Sequence, residues 1–177
     1  MRIIRGKLKT KRVTVPKAFP SRPTTDFAKE GLFNMLENRV DFYDLRILDL
    51  CAGTGNISFE FISREAGIVT AVDSNFNCVK HIRRLSKEFE VEGEITTVQS
   101  DIIKFLGNAT SKYDLIFADP PYEFPKYNEI IQNIFERELL NEDGFVVLEH
   151  GKRTDLSALP HYVESRAYGN VVFSFFE

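Results

Sequence analysis

Leu48-Asp49-Leu50-Cys51-Ala52-Gly53-Thr54-Gly55 is the stretch from which the rest of the chain can be organised. A short apolar run over 46–50 enters a glycine-rich turn, and a helix is expected just beyond it, over about 57–64. Glycines at such a turn let the backbone reverse tightly and approach a ligand closely. The free N–H groups of the following helix point at whatever the loop cradles. Strand, glycine loop and helix in that order are the opening unit of a nucleotide-binding α/β fold.

Further along, the pattern repeats. Strands are expected over 68–72, 95–99, 113–118 and 144–149, with helices over 75–89, near 102–106 and over 126–136 between them. Segments 162–167 and 171–175 read as a closing strand pair. Strands alternating with helices imply βαβ units, right-handed crossovers and a mostly parallel sheet with helices on both faces, a Rossmann-like α/β fold. Before the first strand, a helix is expected over about 25–36, and Pro16, Pro20 and Pro23 break regular structure ahead of it. Segments 2–6 and 11–15 flank a short polar stretch and read as a small β-hairpin. The expected organisation is a basic N-terminal β-hairpin arm, 1–23, followed by a Rossmann-like domain, 24–177.

Composition narrows the partners. Of 177 residues, 43% are hydrophobic and 16 are Phe, enough for the core of one domain. No run approaches the ~18 apolar residues of a membrane span, and the N-terminus lacks a signal-peptide pattern. Cys51 and Cys78 make neither a disulfide framework nor a zinc site, so a cytoplasmic setting and no metal are expected. The net charge of −3 hides an asymmetry: the first 25 residues hold Arg2, Arg5, Lys7, Lys9, Lys11, Arg12, Lys17 and Arg22 and no acid, leaving 15 basic against 26 acidic residues elsewhere, a net −11. A basic end on an acidic body points to a polyanionic partner met by that end, although a solvated basic tail has the same composition.

The acids at strand ends suggest a cofactor. Gly53-x-Gly55-x-x-Ser58 only half fits the dinucleotide fingerprint, and Asp49 is unfavourable beside a pyrophosphate. It suits a ligand bearing a cationic amino group and a sulfonium, as S-adenosylmethionine does. Asp73-Ser74 ends the second strand about 20 residues beyond the glycine loop, where an acid holds a ribose diol. Asp101-Ile102 ends the third, where the carboxylate can accept an adenine amino group and Ile102 can pack on the ring. Both acids also precede an expected helix, which either could cap instead. Cys51, Ala52 and Thr54 complete the loop, with Cys51 a small packing residue rather than a nucleophile.

The fourth strand delivers Asp119-Pro120-Pro121-Tyr122. Each proline fixes its own φ and biases the residue before it towards extended geometry, so the turn is stiff. The Asp119 carboxylate and the Pro120 carbonyl can receive the two protons of an exocyclic amino group, and Tyr122 can stack on the ring that bears it. Such a nitrogen is a poor nucleophile, and two acceptors on its protons both orient it and stabilise developing positive charge. Nothing in the four residues distinguishes a guanine from an adenine amino group. The Glu149-His150 ending of the fifth strand carries no role at this stage.

Together these residues resemble the small-subunit rRNA methyltransferase D type, a family of 16S rRNA guanine-N2 methyltransferases. Beyond the two motifs, the resemblance extends to Arg2-Ile3-Ile4-Arg5-Gly6, to Arg22-Pro23-Thr24-Thr25-Asp26 with the helix that follows, and to Tyr168-Gly169 with the apolar run ending in Phe175-Phe176. The resemblance implies S-adenosylmethionine as cofactor and 16S rRNA of the small ribosomal subunit, or its assembly intermediate, as substrate, met by a monomer. It implies that Arg22 and Thr24 approach the active site, although capping and loop anchoring would account for them equally. Arg2, Arg5, Lys7, Lys9, Lys11 and Arg12 are then the expected phosphate contacts. An N6-adenine methyltransferase of DNA or RNA shares the D-P-P-Y signature and is the nearest alternative.

Overall fold

The computed structural model describes residues 1–15, 25–121 and 124–177. The elements follow in the order α1 (Asp26–Glu37), β1 (Arg46–Leu50), α2 (Asn56–Ser63), β2 (Ile68–Asp73), α3 (Phe76–Glu88), β3 (Ile95–Gln99), α4 (Ile102–Asn108), β4 (Tyr113–Ala118), α5 (Tyr127–Glu136), β5 (Leu140–Gly151), β6 (Tyr162–Tyr168) and β7 (Val171–Phe176). The seven strands form one sheet in the order β3-β2-β1-β4-β5-β7-β6. β1 to β5 pair in parallel, whereas β7 and β6 close the sheet antiparallel. Strand order reverses between β1 and β4, so the crevice above their carboxyl ends is where such a sheet places its ligand.

Alternation along the strands divides the core. Ile47, Leu115, Phe117, Phe145, Val147, Phe173 and Phe175 face one side and pack with α1, α2 and α3. Leu48, Leu50, Ile116, Ala118, Val146 and Leu148 face the other and pack with α4 and α5. All eight residues of α2 are buried. An ordinary sheet-packed helix keeps a wet face. Here the outer side is covered by the N-terminal segment, whose Ile3, Leu8 and Val13 belong to the same core.

That segment is the largest departure from expectation. Its hairpin is reduced to a single antiparallel bridge, Arg2 with Arg12. The backbone groups that a longer ladder would use are taken by α2 instead. Glu60 accepts from the N–H groups of Ile4 (2.9 Å) and Arg5 (3.1 Å), and Ser63 holds Leu8 N–H through its hydroxyl (2.9 Å) and Lys7 N–H through its carbonyl (2.9 Å). β5 is also longer than 144–149. Its start pairs Leu140 with Tyr113 across a bulge, and its end is carried to Gly151 by pairing with β7. Asn141, Glu142 and Asp143 fall in the bulge between the Leu140 and Phe145 pairings, and Asp143 takes φ 59°, a left-handed conformation that Asp tolerates.

Candidate functional site

The described residues among those expected to hold the cofactor converge at the carboxyl end of the sheet. Gly53 and Gly55 both take positive φ, 54° and 78°, and a Cβ on Gly55 would stand 2.9 Å from both Ile82 and Phe59. The loop is tied to β2 twice: Ala52 N–H donates to the Val72 carbonyl (3.0 Å) and Gly53 N–H to Asp73 Oδ2 (2.8 Å). Cys51 adopts φ 61°, a left-handed conformation that costs a non-glycine residue on the order of 1 kcal/mol or more. Burial, with the charges of Asp73, Asp119, Asp49 and Asp101, holds its thiol far above the ordinary range and so disfavours the thiolate. Thr54 is buried in the loop.

Each acid has its own setting. Asp49 is buried, accepts the Ser58 hydroxyl, and faces the same side as Ile47. Its carboxyl is raised to about 7, by burial first, with the Ser58 hydrogen bond opposing and the charges of Asp119 and Asp73 adding to the rise. Asp73 uses Oδ2 for Gly53 and Oδ1 for Asn75 N–H (2.8 Å), and its carboxylate also accepts from the Cys78 thiol, which leaves part of its acceptor capacity free. It does not cap α3; Asn75 does, accepting from Asn77 N–H. Asp101 does cap α4, with Oδ1 accepting from Ile103 (2.9 Å) and Lys104 (3.1 Å). Its Oδ2 takes no hydrogen bond among the described residues. Ile102 is buried beside it, whereas Ser74 is exposed at the rim.

Across the switch point, Asp119 continues the β4 ladder, its N–H donating to the Leu50 carbonyl (3.2 Å). Pro120 is buried and Pro121 exposed. The Pro121 carbonyl accepts from Phe124 N–H (3.1 Å). The Pro120 carbonyl accepts no hydrogen bond among the described residues, as a pair of adjacent prolines allows. Burial first, and the charge of Glu149 second, raise the Asp119 carboxyl well above the usual carboxylate range. Glu149 was missed by sequence reasoning. Ala118 pairs with Leu148, so the next residues, Asp119 and Glu149, are neighbours on the same face of adjacent strands. Only strand register reveals that. His150 points to the opposite face, with Nε2 2.7 Å from Ser174 Oγ. Tyr122, Arg22 and Thr24 lie outside the described residues.

The basic residues are not gathered at this crevice. Arg2 is close to it: its carbonyl accepts from Lys29 Nζ (2.6 Å), which also holds Asn56 Oδ1 (2.8 Å) directly after the glycine loop. Arg2 bridges to Arg12. Lys7 instead pairs with Glu94, just before β3 begins, and Lys11 lies 5.8 Å over the Phe89 ring past the end of α3. Lys9 is in the same turn, its N–H donating to Gly6. These three sit at the amino end of the strands, about 17 Å, a five-residue strand's length, from the Asp119 end. Arg5 pairs with Glu37 (2.9 Å) at the far end of α1.

The residues present fit a cationic cofactor. An acid-lined glycine loop with positive-φ glycines would repel a pyrophosphate and accept an ammonium, a ribose and an adenine amino group. The fold and this arrangement define a Rossmann-like methyltransferase domain. The chain belongs to the family described as Conserved hypothetical protein 95, which matches residues 1–177. It is 33% identical to YlbH of Bacillus subtilis over 159 residues, covering 88% of this chain and 85% of YlbH. It is 27% identical over 164 residues to Ribosomal RNA small subunit methyltransferase D of Escherichia coli K12, covering 90% of this chain and 79% of that protein. Among solved structures, yhhF of Escherichia coli superposes with a TM-score of 0.87 at 23% identity, covering 99% of this chain and 96% of that one. SMU.776, solved with S-adenosylhomocysteine, superposes with a TM-score of 0.67 at 17% identity over 84% of this chain and 49% of that one.

Proposed function

We propose that this protein transfers a methyl group from S-adenosylmethionine to the N2 amino group of a guanine in 16S rRNA of the small ribosomal subunit. The observation that carries the reading is the position of Asp119 and of the Pro120 carbonyl, which is unbonded among the described residues, at the end of β4, across the switch point from the glycine loop and its acids. The named relatives supply the rRNA and small-subunit part of the reading. The guanine part follows the family resemblance.

S-adenosylmethionine supplies an already activated methyl group. Asp49, Gly53 and Gly55 would hold its methionine end, with Cys51, Ala52 and Thr54 completing the loop. Asp73 and Ser74 would meet its ribose, and Asp101 and Ile102 its adenine. Asp119 and the Pro120 carbonyl accept the two amino protons of the target base and hold its nitrogen in line for attack. Pro121 stiffens the turn, and Tyr122 stacks on the base. A base in folded RNA leaves its stack to reach Asp119, at a cost of a few kcal/mol unless a loop already exposes it. The basic segment over 1–23, including Arg22, and Thr24 just after it contact the surrounding RNA.

The test is methyl transfer from tritiated cofactor to small ribosomal subunits, and to bare 16S rRNA, from cells lacking the enzyme, followed by nucleoside separation. The expected product is N2-methylguanosine, lost in Asp119→Ala while cofactor binding remains. Label in N6-methyladenosine would overturn the guanine assignment. Calorimetric binding of NADH without binding of S-adenosylhomocysteine would overturn the methyltransferase reading itself.

A further inference from the structure

We propose that the outer face of α3 is a track for an unpaired stretch of the RNA substrate, with phosphates held by Lys80, Arg83 and Lys87 and one base stacked on Phe76. The inference rests on the reading of the substrate as RNA. It starts from helical spacing. Phe76, Lys80, Arg83 and Lys87 follow one another at intervals of four, three and four residues, so they stand in one line along the helix. All four are exposed, as is Arg84 beside them, while the other apolar residues of the helix turn inward. The single acid of α3 is Glu88, and Arg84 pairs with it (2.9 Å). Lys80 and Lys87 make no ion pair among the described residues. A solvated helix face ordinarily interleaves both signs. This one gathers four of the 15 basic side chains that follow residue 25, in a part of the chain whose net charge is −11.

The track begins at the crevice. α3 follows β2, so Phe76 stands at the carboxyl end of the sheet, three residues after Asp73, and it is 55% exposed. Only β1 separates β2 from β4, which puts the strand ends at Asp73 and Asp119 about 10 Å apart, two strand spacings. From Phe76 the line runs about 17 Å along the helix axis to Lys87, at the amino end of the strands. There the N-terminal segment takes over: Lys11 Nζ lies 5.8 Å over the Phe89 ring, and Arg84 donates to the Thr14 hydroxyl (3.2 Å). The face of α3 thus joins the crevice to the lysine turn. Arg83 is anchored on β3, with Nε donating to Thr97 Oγ1 (2.6 Å) and Nη2 to the Thr97 carbonyl (3.3 Å), and its Nη1 takes no bond among the described residues. Glu90, Glu92 and Glu94 lie beyond the helix end, where Lys7 holds Glu94. Cations in a row match the phosphates of one strand, and an exposed ring matches a free base face. A duplex would hide its bases from Phe76. An acidic peptide would match the charges and leave Phe76 in water.

Two measurements test this. In a double variant, Lys80→Gln with Lys87→Gln, the salt slope for binding 16S rRNA is expected to fall by about 1.4, two single-strand phosphate contacts, and KM for that RNA to rise about tenfold. Its kcat and its affinity for S-adenosylhomocysteine are expected to stay at wild-type values, and Lys80→Arg with Lys87→Arg to restore the slope. The second readout needs no turnover. The chain has no Trp, so Phe76→Trp places a single indole at the crevice end of the track and keeps an aromatic face. With S-adenosylhomocysteine saturating, its emission is expected to be quenched as poly(U) or 16S rRNA binds, and less by a poly(A)·poly(U) duplex. An unchanged salt slope and KM in the double variant, or unchanged emission with RNA bound, overturns the proposal. So does displacement of 16S rRNA by polyglutamate as readily as by poly(U), which would assign the face to an acidic protein segment. Wild-type protein that neither binds nor methylates 16S rRNA is a different result: the reading of the substrate falls, and the track with it.

Discussion

Asp73, at the end of β2, accepts the backbone N–H of Gly53 at 2.8 Å, so the carboxylate proposed to hold the ribose also fixes the glycine loop. The same side chain takes Asn75 N–H at 2.8 Å and so shapes the entry to α3. One residue thereby couples ligand and loop. Asp73→Ala is expected to weaken S-adenosylhomocysteine binding by at least ~100-fold, the effect of losing hydrogen bonds to a charged acceptor worth about 1.5–3 kcal/mol each. Asp73→Asn keeps an acceptor oxygen and should lose less. Calorimetric titration of both variants checks the order; equal affinities for Ala, Asn and wild type would remove Asp73 from the site.

Lys29 is fully buried and holds the Arg2 carbonyl, Asn56 Oδ1 and Glu60 Oε2 (3.1 Å). Glu60 also receives Ile4 and Arg5 N–H and Arg64 (3.0 Å). Burial lowers the Lys29 pKa, and Glu60 restores part of it. Breaking a buried pair by removing one partner costs about 3–5 kcal/mol, whereas neutralising both costs less. Lys29→Met is therefore expected to lower stability by about 3 kcal/mol and to expose the N-terminal segment to limited proteolysis. Adding Glu60→Gln should recover part of the loss. Urea unfolding of Lys29→Met, Glu60→Gln and the double variant decides it, since a double variant that loses as much as the two singles together would show that the charges do not act as a pair.

Asp49 gives the pH dependence. Its carboxyl lies near 7 when folded, with burial the main cause, against about 3.9 in an unfolded chain. Between those values the folded protein holds a proton that the unfolded chain has lost. Stability therefore falls as pH rises from about 4 to about 7 and levels off beyond. Asp49→Asn removes the penalty and should gain on wild type over that range, by at most about 4 kcal/mol at the alkaline end. Denaturant titrations at pH 5, 6, 7 and 8 measure it; a constant difference across that range would refute the elevated carboxyl.

The division of the basic residues predicts two kinds of RNA contact. Arg2 lies near the crevice, whereas Lys7, Lys9 and Lys11 lie at the opposite end of the sheet. Replacing those three lysines with Ala should lower the salt slope for whole 16S rRNA by about 2. Equal slopes on the long RNA would make the lysine turn a solvated face.

The strand and helix alternation was legible because buried parallel strands are short apolar runs and their helices carry period-3.6 faces. The glycine loop was legible because positive φ at Gly53 and Gly55 requires that residue type. The N-terminal hairpin and the start of β5 were less so, since both depend on which backbone groups a distant element takes: Glu60 and Ser63 of α2 in one case, Tyr113 of β4 in the other. Asp73 and Asp101 looked alike as strand-end acids, yet one fixes a loop and the other caps a helix.

By itself, then, the sequence determined the α/β class, the glycine loop and the proline-stiffened turn after Asp119, each written in local residue chemistry. Tertiary structure alone decided that Glu149 stands beside Asp119 and that the basic residues part company around α2. Both depend on pairings between segments far apart in the chain. Strand register and burial set those pairings, and no short stretch of residues encodes them.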